Sequence, residues 1–202
     1  MSETPKTGDL ATTLATWLFY LDQAGHRAKD PAIVSALISL KTANELEGAM
    51  RGAAERQDYA EAARLKEQLN RNNSDPDALG QDLVDAIQAS LVGESPKDII
   101  SWACEQLDAK RIVTEFGADR VERTREIRQA TFQNGLPWVA QIIDRFPDGR
   151  VGAHWVMVER VTDHVRCMDP YPWDDLHEEI EIPLADFMVK WELSGCIGMR
   201  WS

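Results

Sequence analysis

The hydrophobic period of this chain changes once, at Asn134-Gly135, and that switch constrains the fold more than any other feature. Beyond it come "PWVAQIID", "GAHWVMVERV" and "HVRCMD", short runs rich in β-branched and aromatic residues. "FPDGR" precedes the second run and "TD" the third. Runs of this kind bounded by Gly, Pro and Asp read as strands joined by hairpins. "EEIEIPL" predicts a fourth strand, "LADFMVKW" a short helix and "GCIGMRW" a last strand.

Before the switch the pattern is helical from about residue 10 to 110. Asp30-Pro31 places a capping side chain just ahead of a proline, which is tolerated only in a helix's first turn. It predicts a long helix through about Arg56. Asp75-Pro76 repeats the device for a helix through about Leu91, and Ser95-Pro96-Lys97-Asp98 for one through about Ala109. Residues 120–134 predict one more helix, stopped by Asn134-Gly135. Helices followed by an antiparallel sheet make an α+β fold. "RNNSDPD" (71–77) is the best linker, so residues 1–73 form a helical region and 74–202 an α+β domain.

At 202 residues the chain supports one core, or one domain with a small helical module. Its net charge of −12 argues against nucleic acid or an anionic membrane as the main partner, because phosphate binding needs clustered Lys and Arg. The surface suits a protein or peptide partner instead. No run approaches the roughly 18 apolar residues that cross a bilayer. "MSETPKTGDLATTLATWLFYLDQ" lacks the basic and apolar regions of a secretory signal, so the expected location is the cytoplasm. Cys104, Cys167 and Cys196 show no CxxC spacing and read as reduced thiols. "WDDLHEEIE" (173–181) fits neither an EF-hand nor a His-based zinc spacing. No metal or cofactor is expected.

Two stretches carry more than fold. In "LEGAMRGAAERQDYAEAARLKEQLN" (46–70), Leu46, Met50 and Ala53 form one stripe and Ala62, Leu65 and Leu69 another. Asp58 between them can cap a second helix, with Glu61 three residues on. This predicts an antiparallel helical hairpin over about 44–72. In "GAHWVMVERVTDHVRCMDP" (152–170), strand alternation puts His154, Val156 and Val158 on one face and Trp155, Met157 and Glu159 on the other. The turn at Thr162-Asp163 folds "VRCMD" back, so Asp169 can approach His154. An Asp on Nδ1 would fix the imidazole tautomer and leave Nε2 as a base.

Each stretch resembles a known family. "AAERQDYAEAARLKEQL" is similar to the UVR motif of nucleotide-excision proteins and Clp-protease regulators, a protein-docking element. That implies partner contact through Asp58, Tyr59, Ala62, Leu65 and Leu69; the other reading is an ordinary hairpin packed on its own domain. Residues 95–192 resemble the back half of a C39-like, papain-like peptidase domain. The features are the "SPKDIISWACEQL" helix, "NGLPWVAQI", the His-Trp pair in "HWVMVERV", the Asp-Pro in "VRCMDP", and "LADFMVKW". The resemblance implies a triad base at His154 and its orienter at Asp169. It implies a cysteine nucleophile at the start of the first main helix, after a Gln. "TGDLATTLATWL" and "DPDALGQDLVDAI" contain neither. Cys104 lies mid-helix and Cys167 follows the base, which leaves them as the only candidates for an unusual nucleophile, with Cys196 read as packing. "DPYPWDD" adds an aromatic loop, so Trp155, Tyr171 and Trp173 are candidate peptide contacts. The expectation is a nucleophile-less C39-like module that binds peptide or protein. The alternative is a cysteine hydrolase that uses Cys104 or Cys167.

Overall fold

The structure, a computed structural model, describes residues 8–71, 75–93, 95–145, 149–169 and 178–202, and their side chains except at 8, 9, 131–134, 169, 178 and 179. The fold is α+β, with a helical N-terminal half and an antiparallel sheet in the C-terminal half. In chain order the helices of the first half are α1 (Gly8–Gln23), α2 (Pro31–Glu55), α3 (Tyr59–Arg71), α4 (Pro76–Ser90) and α5 (Pro96–Gln106). Strand β1 (Ile112–Val113), helix α6 (Arg120–Asn134), and strands β2 (Trp138–Arg145), β3 (Val151–Val161) and β4 (His164–Asp169) follow. Strand β5 (Glu178–Pro183), helix α7 (Leu184–Leu193) and strand β6 (Gly198–Trp201) complete the chain.

Local chemistry sets these boundaries. Asp30 accepts hydrogen bonds from the amides of Ala32 and Ile33 at the head of α2. Asp75 caps α4 through the Asp77 amide. Ser95 and Asp98 form a reciprocal capping box on α5. Gly135 ends α6 at φ 60°, a left-handed turn that glycine adopts without a steric penalty. The last turn expected of α5, through Ala109, is instead a short 3-10 turn over Ala109–Arg111.

The strand order is β1-β6-β2-β3-β4-β5. The last strand therefore inserts between β1 and β2. Its glycine permits this: a Cβ at Gly198 would lie 2.9 Å from the Val139 carbonyl and 3.0 Å from the Trp138 ring. A register shift between Val158 and Arg160 bulges β3 at Glu159. The bulge brings Val161, rather than Arg160, back into the core.

The sheet is covered on both faces. On one, Val139, Trp155, Met157 and Met199 pack with α1, α2, α4 and α5. On the other, Trp138, Ala140, Val156, Val158 and Cys167 pack with α6 and α7 through Ile127, Phe187 and Trp191. Helix α1 lies over β2 and β3: Trp17 donates from Nε1 to the Pro137 carbonyl at 3.1 Å, and Tyr20 from its hydroxyl to Glu159 Oε1 at 3.4 Å.

Helix α3 belongs to neither core. It packs extensively only on α2. Its buried Leu65 and Leu69, with Ala43 and Ala53 of α2, stand outside both large clusters. The turn is compact: the Asp58 amide donates to Ala53 O and the Gln57 amide to Ala54 O, with Gln57 at φ 60°. Asp58 Oδ1 caps α3 by accepting from the Glu61 amide at 3.1 Å. The carboxylate of Glu61 instead forks onto Arg64, with both contacts at 2.7 Å, so only half of the expected capping box forms.

Candidate functional site

Burying a polar side chain costs free energy unless it is paired, so buried polar groups are the first place to look for a site. Among the described residues they are Thr12, Thr13, Gln141 and His154. Three of them, Thr13, Gln141 and His154, gather around Trp155. Thr13 Oγ1 donates to the Trp155 carbonyl at 3.2 Å, Gln141 is the cross-strand partner of Trp155, and His154 precedes it.

The alternation expected of β3 holds. His154 is paired with Ile142 and shares the α6/α7 face with Val156 and Val158. Trp155 and Met157 lie on the α1 face. Thr13 and the N-terminal half of α1 therefore sit across the sheet's plane from the His154 ring, joined to its strand through the Trp155 carbonyl.

Asp169 closes β4, where its backbone pairs with Glu178. The β3–β4 register reaches Met157 opposite Met168. One further step would set Asp169 across from Val156, two residues from His154. The side chain of Asp169, and Tyr171 and Trp173 entirely, lie outside the described residues.

The thiols are placed clearly. Cys167 is paired with Val158, four residues along β3 from His154, or about 13 Å at the rise of a strand. It is 0% exposed. Cys104 lies in α5, half-buried against the α1-side core. Burial pushes its thiol above the ordinary value, and Lys29 pulls weakly the other way. Cys196 takes the left-handed conformation after α7, and burial raises its thiol too. An activated nucleophile needs the opposite shift, toward thiolate. Nor does any group of three or more His, Cys, Asp or Glu among the described residues form a metal site.

The hairpin presents a second surface. Tyr59, at its tip, is 71% exposed. Leu65 and Leu69 face α2 and hold the arm together, while Ala62 is half-buried beside them.

Gln141 was not anticipated from the sequence. Its signal is a lone amide inside the apolar run "WVAQII".

No family model and no curated protein matches this chain. Among solved structures it is similar to a Bacillus anthracis chain described as a C39-like peptidase, at 15% identity and a TM-score of 0.40. The match covers 55% of this chain and 60% of that one, less than two thirds of the other protein's length.

Proposed function

We propose that this protein binds other proteins without hydrolysing them: a C39-like module lacking its cysteine nucleophile, docked to a partner through the α2–α3 hairpin. One observation carries the reading. Helix α3 packs extensively only on α2, and its leucines contribute to neither main core. Ordering a residue costs roughly 1–2 kcal/mol of backbone entropy, and here the domain gains no core from that ordering. A projecting arm of this kind gains its use from what it touches outside the domain. The similarity of residues 46–70 to the UVR motif, a docking element in its own families, points the same way.

The hydrolase alternative draws no support from the thiols. The register sets Cys167 far along the strand from His154, and burial disfavours the thiolates of Cys104 and Cys196. The head of α1, where the resemblance would place the nucleophile, carries Thr12 and Thr13.

Site-specific photo-crosslinking tests the docking reading. A benzophenone side chain at Tyr59 should capture a discrete partner from the source cell's extract. The same probe at Val92, exposed but off the hairpin, should not, and Ala62→Glu should abolish the capture at 59. Equal capture at both positions, or none at 59, contradicts the reading.

A further inference from the structure

On its α1-side face the outer end of the β2–β3 pair forms an exposed ledge. On the α1-side face the cross-strand pairs run outward from Val139–Met157 through Gln141–Trp155 and Ile143–Ala153 to Arg145–Val151. Exposure rises along them. Val139 and Met157 are core, Ile143 is half-buried, Ala153 is exposed, and Val151 is 63% exposed. The floor is therefore apolar.

Polar groups without a partner among the described residues stand at both ends. Gln141 is 8% exposed, and among the described residues nothing hydrogen-bonds its side-chain amide, whose polar atoms still reach solvent. Its own backbone is fully used, with the amide donating to Ile197 O and the carbonyl accepting from Ser194 Oγ. At the outer end Arg145 is exposed, and among the described residues no ion pair or side-chain hydrogen bond engages its guanidinium, although the chain carries a net charge of −12. Gln141 and Arg145 are four residues apart, about 13 Å along a strand and the length of some four extended residues.

We infer that this ledge binds the C-terminal end of an extended apolar peptide. The Gln141 amide, both donor and acceptor, matches a peptide group. Ile143, Ala153 and Val151 take apolar side chains. The Arg145 guanidinium takes the terminal carboxylate in the two-point geometry that arginine favours. The ledge lies on the sheet, apart from the hairpin, and the inference does not depend on hairpin docking.

The test is fluorescence anisotropy on the full chain. The probe is fluorescein-labelled Gly-Val-Ile-Ala-Leu, with a free carboxylate or as its C-terminal carboxamide. The free acid should bind saturably and about three- to fivefold more tightly than the amide, the worth of one exposed ion pair. Arg145→Gln, at an exposed position, should erase that difference. Gln141→Leu should weaken both forms about tenfold, as loss of a buried hydrogen bond does. Gln141→Glu, of nearly the same size, should weaken the free acid more than the amide. Ala62→Glu in the hairpin should change nothing. Failure of both peptides to saturate overturns the inference. So does a preference for the acid that survives in Arg145→Gln, or loss of binding in Ala62→Glu.

Discussion

Replacing Leu65 by alanine should loosen the hairpin and leave the domain intact. Leu65 is 7% exposed and, with Ala43, Ala53 and Leu69, is buried outside both main cores. Leu→Ala removes about three carbons at roughly 0.8 kcal/mol each, and a cavity term adds to that. The arm is thin and open to solvent on one side, so it can collapse into the gap, which puts the cost near the lower end of the usual range, about 2 kcal/mol. That free energy acts on the local opening of α3 alone. At a factor of ten per 1.4 kcal/mol, amide exchange over Tyr59–Arg71 should accelerate about 30-fold. Exchange in β2 and β3 should not change. The melting temperature of the main transition should hold within a degree, whereas the same cost spread through the whole domain would lower it by about 4–8 °C. Hydrogen-exchange mass spectrometry with Leu83→Ala as comparison reads this directly. Leu83, in α4, belongs to the main core, so its variant should accelerate exchange everywhere. If Leu65→Ala also lowers protection in β2 and β3, the hairpin is part of the domain's core and the basis for its docking role is lost.

Two further predictions concern the sheet and its helices. Glu192 accepts hydrogen bonds from Arg120 and Arg123, which hold its carboxyl down at about 2. A depressed carboxylate adds stability above its unfolded value, near 4.3, and loses it as pH falls toward the folded value. Solvent reaches both Glu192 and Arg120, so the pair is worth about 1 kcal/mol rather than the full shift. Glu192→Gln should be less stable than the parent by that amount at pH 7. The gap should close between pH 4.5 and 2 in chemical denaturation, and a gap independent of pH would refute the ion-pair account. Gly198→Ala should lower stability by roughly 1–3 kcal/mol, because its methyl would press on the Val139 carbonyl and the Trp138 ring. A neutral result would mean that β6 shifts freely.

What the sequence disclosed was mostly local chemistry. Asp30, Asp75, Ser95 and Gly135 mark helix ends because capping and left-handed turns involve only neighbouring residues. Alternation along β3 was legible because each side of the sheet is buried against a different helical layer. Long-range choices were not. The two residues of β1 are too few to show a period, and the insertion of β6 beside β2 depends on Gly198 meeting a distant backbone. At the hairpin the spacing of Asp58 and Glu61 suggested a full capping box, but Arg64 one turn on competes for the carboxylate. The left-handed Gln57 was hidden because nothing in its identity announces that conformation. At the candidate site His154 was legible from its strand. Gln141 was not, because its meaning comes from the burial of the sheet around it.

Peptide hydrolysis tests the central claim most directly. The full chain, incubated with a mixed peptide library and followed by mass spectrometry, should yield no cleavage above that of His154→Ala, Cys104→Ser and Cys167→Ser run beside it. The strand register sets Cys167 four residues along β3 from His154, and burial raises the thiols of Cys104 and Cys196 away from thiolate. Cleavage by the parent that disappears in His154→Ala and in one cysteine variant would contradict the account and establish a cysteine hydrolase.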